Sequence, residues 1–168
     1  SLATSQTLAA AIKKFCPSDL VLCGGETADS GTKQVGPQLA EFLDVPCVTN
    51  VRAMSFTGEA ALVAESPIEN GYMKVEVKLP AVITVNRTIN EPRMTSIFGI
   101  MEVASKEFKS YGLADLGLAN DKVGLPGSPT QMADLSEFKQ QRRREILQGE
   151  AAKVAKEAVA RLRELQAL

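Results

Sequence analysis

The chain has 168 residues, of which 45% are apolar, so it is long enough for one domain with an added arm and can bury a real core. Its 19 basic residues nearly balance 20 acidic ones, which gives no electrostatic case for a nucleic-acid partner or a membrane surface. With no histidine, Ser-His and Cys-His nucleophilic sites are excluded, and with three scattered cysteines besides, the usual zinc ligand sets are missing.

No apolar run is long enough to span a bilayer and no signal-peptide pattern is visible, so direct membrane insertion is not expected. Cys16, Cys23 and Cys47 are widely spaced and form no CxxC pair. They read as reduced thiols in or near the core, which suits a reducing compartment.

Leu8, Ala9, Ile12 and Phe15 recur at helical spacing and predict a helix over residues 4–15, with Thr4 or Ser5 as N-cap and Pro17 as its stop. A chain opening on a helix is unusual for an α/β sheet, and an N-terminal βα portion is expected to be missing from it. The apolar run at residues 20–23 predicts a parallel strand buried on both faces. A polar, glycine-rich loop follows, then a helix that starts between Lys33 and Pro37 and runs to about Leu43. Residues 45–51 predict a second strand and complete a βαβ unit. Residues 60–65 and 72–77 predict an antiparallel hairpin around Asn70 and Gly71. Residues 79–85, LPAVITV, form the strongest strand pattern and predict a central position. Residues 86–101 read as a loop with one helical turn, and 105–136 as an aperiodic arm lying across a partner. A last helix is expected over 137–165, weakened or divided at Gly149, with an apolar face at Val154, Ala155, Ala158, Val159, Leu162 and Leu165. The basic cluster Arg142, Arg143 and Arg144 reads as a solvated helix face.

The strand–loop–helix passage from Asp19 to Pro37 holds the chemistry. Free N–H groups and the positive dipole end of a helix attract an anion, so phosphate binding and an ordinary βα turn both stay open on spacing. The spacing is neither a Walker A nor GxGxxG, since five residues separate Gly25 from Gly31. Asp29 is suited to ribose hydroxyls. The Thr32 hydroxyl and the N–H groups of Gln34, Val35 and Gly36 are suited to phosphate, while Pro37 has no N–H to offer. The scattered carboxylates have the pattern of solvated surface, which argues for binding over hydrolysis, with any redox chemistry carried by a cofactor.

Three motifs together resemble one family, the β subunit of electron-transfer flavoproteins. The loop from Ala28 and Asp29 through Thr32 to Gln34-Val35-Gly36-Pro37 is similar to the family's AID-x-DT-x-QVGP loop, which binds the AMP part of a nucleotide. LPAVITV followed by Asn90-Glu91-Pro92-Arg93 is similar to the strand and NEPR turn leading to its partner-recognition loop, with Ile97 at the docking position. Val123-Gly124-Leu125-Pro126-Gly127-Ser128-Pro129-Thr130 resembles a VGLxGSPT stretch of the branch associated with electron bifurcation. Leu2-Ala3-Thr4-Ser5 resembles that branch's helix start beside the nucleotide.

The resemblance implies an adenine-nucleotide α-hydrolase-like, Rossmann-like α/β core with an antiparallel hairpin and a C-terminal arm ending in a helix. It divides the chain into a nucleotide-binding domain at 1–104 and a partner-embracing arm at 105–168. It implies an electron-carrier subunit, not itself an enzyme, in a heterodimer with an α subunit and serving acyl-CoA or related dehydrogenases. The cytoplasm is the implied location, or the mitochondrial matrix in a eukaryote. FAD is the implied cofactor of the loop, the alternative being AMP there with FAD on the α subunit. The implied nucleotide residues are Thr4, Ser5, Gly24, Asp29, Ser30, Gly31, Thr32, Gln34, Val35, Gly36 and Pro37. The implied docking residues are Asn90, Glu91, Pro92, Arg93 and Ile97. Six positions at four places depart from the family pattern. Gly31 replaces an Asp, Gly25 a basic residue and Met94 a Tyr, and Glu65-Ser66-Pro67 occupies the hairpin's usual basic–acidic pair. A stand-alone adenine-nucleotide sensor or pyrophosphatase-like domain is the competing reading.

Overall fold

Helix α1 (Leu2–Phe15) opens the chain and carries Lys13 and Lys14 in its last turn, where cations complement the helix dipole. The computed structural model describes residues 1–136 and 146–165. After α1 come β1 (Leu20–Gly24), α2 (Val35–Leu43), β2 (Cys47–Val51), β3 (Ala53–Phe56), β4 (Ala61–Ile68), β5 (Gly71–Lys78) and β6 (Ala81–Val85). Helices α3 (Ile97–Val103) and α4 (Leu113–Leu116) follow, and α5 (Ala151–Glu164) comes last. Two compact units result, Ser1–Gln131 and Met132–Leu168.

The expected N-caps fall inside α1, because the helix begins earlier, with Ser1 at the N-cap position. The reason lies in Ser5. Its side chain is buried, and its hydroxyl lies within hydrogen-bond reach of the Ser1 carbonyl (3.0 Å) and the Gln38 side chain (3.0 Å). Ser1 in turn donates to Gln34 Oε1 at 2.7 Å, so the starts of α1 and α2 are tied together. At the other end the Lys13 ammonium donates to the Phe42 carbonyl of α2 at 2.6 Å.

The parallel sheet has the order β1-β6-β2. LPAVITV therefore supplies the centre, as its branched residues predict, though the strand proper begins at Ala81. The βαβ unit is real in direction but not in adjacency, because β6 inserts between β1 and β2. β1 pairs with β6 alone among the described residues, and Leu22 is 52% exposed, so the expected burial of β1 on both faces is not found. Cys23 and Cys47 are half-buried, and burial raises both thiol pKa values, whereas Cys16 is exposed just beyond α1.

The predicted hairpin is β4–β5, and β3 joins it to make a three-stranded antiparallel sheet. β3 escapes the pattern because it is short and mostly exposed. Pro67 lies in β4 beyond the stretch that pairs with β3, where its missing N–H costs no ladder bond on that side. The two sheets meet through Leu62, Ala64 and Val77 on one side and Val48, Val51, Ala81 and Ile83 on the other. Side chains alternate along a strand, so Val82 and Thr84 face oppositely to Ala81 and Ile83.

On that face α2 sits unusually close. A Cβ added at Gly36 would lie 2.2 Å from Thr84 Cγ2, and Thr84 is itself buried. The aperiodic segment after α3 is partly ordered by its own chain. Tyr111 stacks on Phe15 of α1 with ring centroids 3.7 Å apart, and the Lys14 ammonium donates to the Asp115 carbonyl. In the VGLPGSPT stretch, a Cβ at Gly127 would collide with the Lys122 backbone, and Gly127 N–H donates to the Val123 carbonyl at 3.1 Å.

In the second unit α5 begins after Gly149, whose φ of 138° is a glycine conformation outside any helix. Val159, Leu162 and Leu165 of its apolar face are exposed. Arg142, Arg143 and Arg144 lie outside the described residues, as does the expected start of the last helix at residue 137.

The close approach yields a stability test. Gly36→Ala is expected to cost about 1–3 kcal/mol by overpacking against Thr84. Thr84→Ser keeps the hydroxyl, removes the colliding methyl and should recover most of that loss in the double variant. Urea unfolding of the two single variants and the double measures the coupling. Simple additivity would mean that the contact is not the constraint.

Candidate functional site

The carboxyl ends of the three parallel strands open into one cleft of about 940 Å³. This is where open α/β sheets bind ligands, because strand ends and the loops after them diverge there. Gly24 and Gly25 come from the end of β1, Thr49 and Asn50 from β2, and Thr84 and Val85 from β6. Pro37, in the first turn of α2, brings that helix's N-terminus to the wall. Asn86, Arg87, Ile89, Asn90 and Pro92, on the segment after β6, add further lining, and Glu26 and Lys33 complete it.

The floor is held by amides. Asn50 has φ of 56°, a left-handed conformation that Asn tolerates better than most residues. Its N–H donates to Thr84 Oγ1 at 2.9 Å, and its side-chain oxygen accepts from Asn86 Nδ2 at 2.9 Å. Asn86 N–H donates to the Val51 carbonyl at 2.8 Å, and its Oδ1 accepts from Thr88 N–H at 3.1 Å. The β2–β6 register shifts between Val48 and Val51, which frees Thr49 and Asn50 to face the cleft.

The expected site residues separate into groups. Gly24 and Pro37 line the cleft, and so do Asn90 and Pro92 from the docking set. Val35 and Gly36 begin α2 beside Pro37, and Gln34 at the N-cap makes no side-chain cap. Gly36 packs inward on Thr84, and Gln34 accepts from Ser1. Ser5 is engaged between α1 and α2, and Thr4 is an exposed residue of α1. Asp29, Ser30, Gly31 and Thr32 lie on an exposed loop and are not among the lining. There Gly31 has φ of 57°, and its N–H donates to the Thr27 carbonyl at 3.0 Å. A bond from the Thr27 side chain, with help from backbone N–H groups, holds the Asp29 carboxyl below the usual carboxylate range.

Glu91 and Arg93 are exposed, and Ile97 begins a helix with no buried residue. Ser96 caps that helix by accepting from Gly99 N–H at 3.0 Å. Ile97, Phe98, Ile100, Met101 and Val103 are all exposed, and Met94 before them is 97% exposed. On the hairpin sheet, Lys74 at 2.9 Å and Arg52 at 3.3 Å flank Glu65. The Lys74 bond first, and Arg52 second, hold that carboxyl below its ordinary value. Arg52 also lies 4.3 Å over the Tyr72 ring.

The family described as electron transfer flavoprotein domain matches residues 1–116. The chain belongs to that family. It is 40% identical over 161 residues to the electron transfer flavoprotein subunit beta of Thermoanaerobacterium thermosaccharolyticum, covering 95% of this chain and 61% of the relative. It is 41% identical over 130 residues to the caffeyl-CoA reductase-Etf complex subunit CarD of Acetobacterium woodii, covering 77% of this chain and 49% of the relative. The acryloyl-CoA reductase electron transfer subunit gamma of Anaerotignum propionicum is 38% identical over 143 residues, with 79% and 52% covered. The chain thus spans about three-fifths or less of the length of these relatives. Within this electron transfer flavoprotein chain the fold is as the motifs imply, a parallel sheet with an added antiparallel sheet and a C-terminal helix.

Lys33, Thr49, Asn50, Thr84, Asn86 and Arg87 were not anticipated in the cleft. The usable signal was topological, namely polar residues immediately after or at the ends of predicted parallel strands. Asn50 is open to test. Asn50→Ala should destabilise by about 1–2 kcal/mol through its left-handed backbone, whereas Asn50→Gly should cost less. Both should speed hydrogen exchange at Thr88 N–H, since both release Asn86. Unchanged exchange in both variants would show that the amide bridge does not hold this wall.

Proposed function

We propose that this chain is part of the β subunit of an electron-transfer flavoprotein and that its cleft takes the adenine-nucleotide portion of FAD. The alternative at the same site is AMP, with FAD on the α subunit. The observation that carries the reading is the opening of the cleft at the carboxyl ends of the parallel strands, beside the start of the QVGP helix.

The residues suit such a ligand. Val85, Ile89, Pro37 and Pro92 offer apolar surface for a flat ring, and Asn50 and Asn86 offer amides for its edges and the ribose. Val35 and Gly36 N–H groups, at the start of α2, and the cations on the walls suit phosphate. Bound flavin would supply electron transfer, and the protein's part is to bind, orient and shield it. The exposed loop from Asp29 to Thr32 supplies further donors and acceptors for ribose or phosphate.

The apolar α3 surface, led by Ile97 after Asn90, Glu91, Pro92 and Arg93, is the docking surface for acyl-CoA or related dehydrogenases. The residues from 105 onward contact the α subunit. Two relatives, a caffeyl-CoA reductase complex subunit and an acryloyl-CoA reductase electron transfer subunit, favour by their names CoA-ester enzymes as partners. The cytoplasm is the proposed location. Among the described residues no helix is long and apolar enough to cross a membrane.

The decisive experiment is chromatography of nucleotides released by denaturing the complex purified with its α subunit. Two flavins per heterodimer support FAD in the cleft, and one flavin with AMP supports the alternative. No nucleotide beyond the α subunit's own would overturn the reading. In the same complex Ile97→Asp should leave nucleotide content unchanged and slow electron transfer with the partner dehydrogenase about tenfold. Unchanged transfer would remove α3 as the docking surface.

A further inference from the structure

We propose that Arg87 is the phosphate-recognising cation of the cleft, a role that rests on the nucleotide reading above. Two basic side chains line the cleft, Lys33 and Arg87. Lys33 is already partnered, its ammonium 3.6 Å from the Glu26 carboxylate. Arg87 forms no ion pair or hydrogen bond among the described residues. The charge of the Lys33 wall is therefore largely cancelled locally, and Arg87 carries the uncompensated positive charge of the lining.

Its backbone is held in place. Asn86 on one side is anchored through its N–H to the Val51 carbonyl and through its amide to Asn50. Thr88 on the other donates its N–H back to Asn86 Oδ1. Arg87 thus projects from a turn fixed on both flanks, while its own side chain is free to close on a ligand. The turn and the glycine loop share one rim, because a Cβ at Gly25 would touch the Val85 carbonyl at 3.3 Å, two residues before Arg87. A guanidinium presents parallel N–H groups that match two phosphate oxygens, which an ammonium cannot do. The ligand class is accordingly a nucleotide carrying a mono- or diphosphate, held at the base by amides and at the phosphate by Arg87.

The test is calorimetric titration of the full chain with AMP and, separately, with adenosine, which lacks the phosphate. Wild type should bind AMP more tightly than adenosine. Arg87→Gln should weaken AMP about tenfold and leave adenosine unchanged, since it removes a charged hydrogen-bonding partner alone. Arg87→Lys should restore part of the loss, and the salt dependence of AMP binding should be shallower in Arg87→Gln than in wild type. Circular dichroism confirms that each variant is folded. Wild-type AMP affinity in Arg87→Gln overturns the proposal. So does an equal loss for AMP and adenosine, which would make Arg87 a structural residue. A wild type that binds neither compound overturns the nucleotide reading itself, and the Arg87 role with it.

Discussion

The close packing of Gly36 against Thr84 is the constraint on which the site depends. Thr84 is buried in the central strand, and its hydroxyl already receives the N–H of Asn50. Its methyl is therefore aimed at α2 and has little freedom to move away. Only a residue without a Cβ lets α2 come so close, and that approach brings the first turn of the helix to the carboxyl end of the sheet. One threonine thus sets two walls of the cleft, the helix through its methyl and the β2 end through its hydroxyl. A bulkier Gly36 would lift the anion-attracting end of α2 away from the strands it is meant to serve.

Much of the fold was legible in the residues because the relevant signals are local. Branched residues in LPAVITV marked the central strand, and Asn70-Gly71 marked the hairpin. What failed required tertiary information. Pairing of β6 between β1 and β2 brings together residues about sixty positions apart on one side and about thirty-five on the other, and no local period encodes it. Leu22 looked buried by composition, but whether a strand face is covered depends on what lies against it. Ser5 looked like a cap by type, yet its hydroxyl is used across two helices. The family resemblance implies the fold class, whereas the strand order β1-β6-β2 is a property of the tertiary structure alone.

The site was legible in part for the same reason. The glycine loop and the QVGP helix start are contiguous in sequence, so motif reading located one wall of the cleft at Gly24 and Pro37. The other wall comes from Asn50, Asn86 and Arg87, which become neighbours through sheet pairing and a left-handed residue at the end of β2. The hairpin shows the reverse case. Glu65 drew notice as a departure from the family's basic–acidic pair, and its carboxylate proves saturated by Lys74 and Arg52. Those neighbours stabilise its ionised form. That contribution is fully present above the ordinary glutamate pKa and is lost as pH falls through the lower folded value. At neutral pH Glu65 is therefore a fixed negative charge held between two cations.

The segment joining β6 to α3 runs from the cleft to the exposed α3 surface, the two surfaces proposed for nucleotide and partner. Ile89, Asn90 and Pro92 face the cleft, while Met94 and Ile97, a few residues on, are exposed to solvent. The segment is anchored at its start by the Asn50–Asn86 bridge, and at its end Ser96 caps the exposed helix α3. A ligand pressing on Ile89 or Pro92 and a partner covering Ile97 would act on the same stretch of backbone. Each can bias the other only to the extent that it distinguishes between arrangements of that stretch. On the proposed function, a nucleotide that rigidified the cleft wall would lower the ordering cost that a docking partner meets at α3, and such a coupling would be reciprocal. The motifs proposed for cofactor binding and for partner docking, separate in the sequence pattern, thus share one stretch of chain.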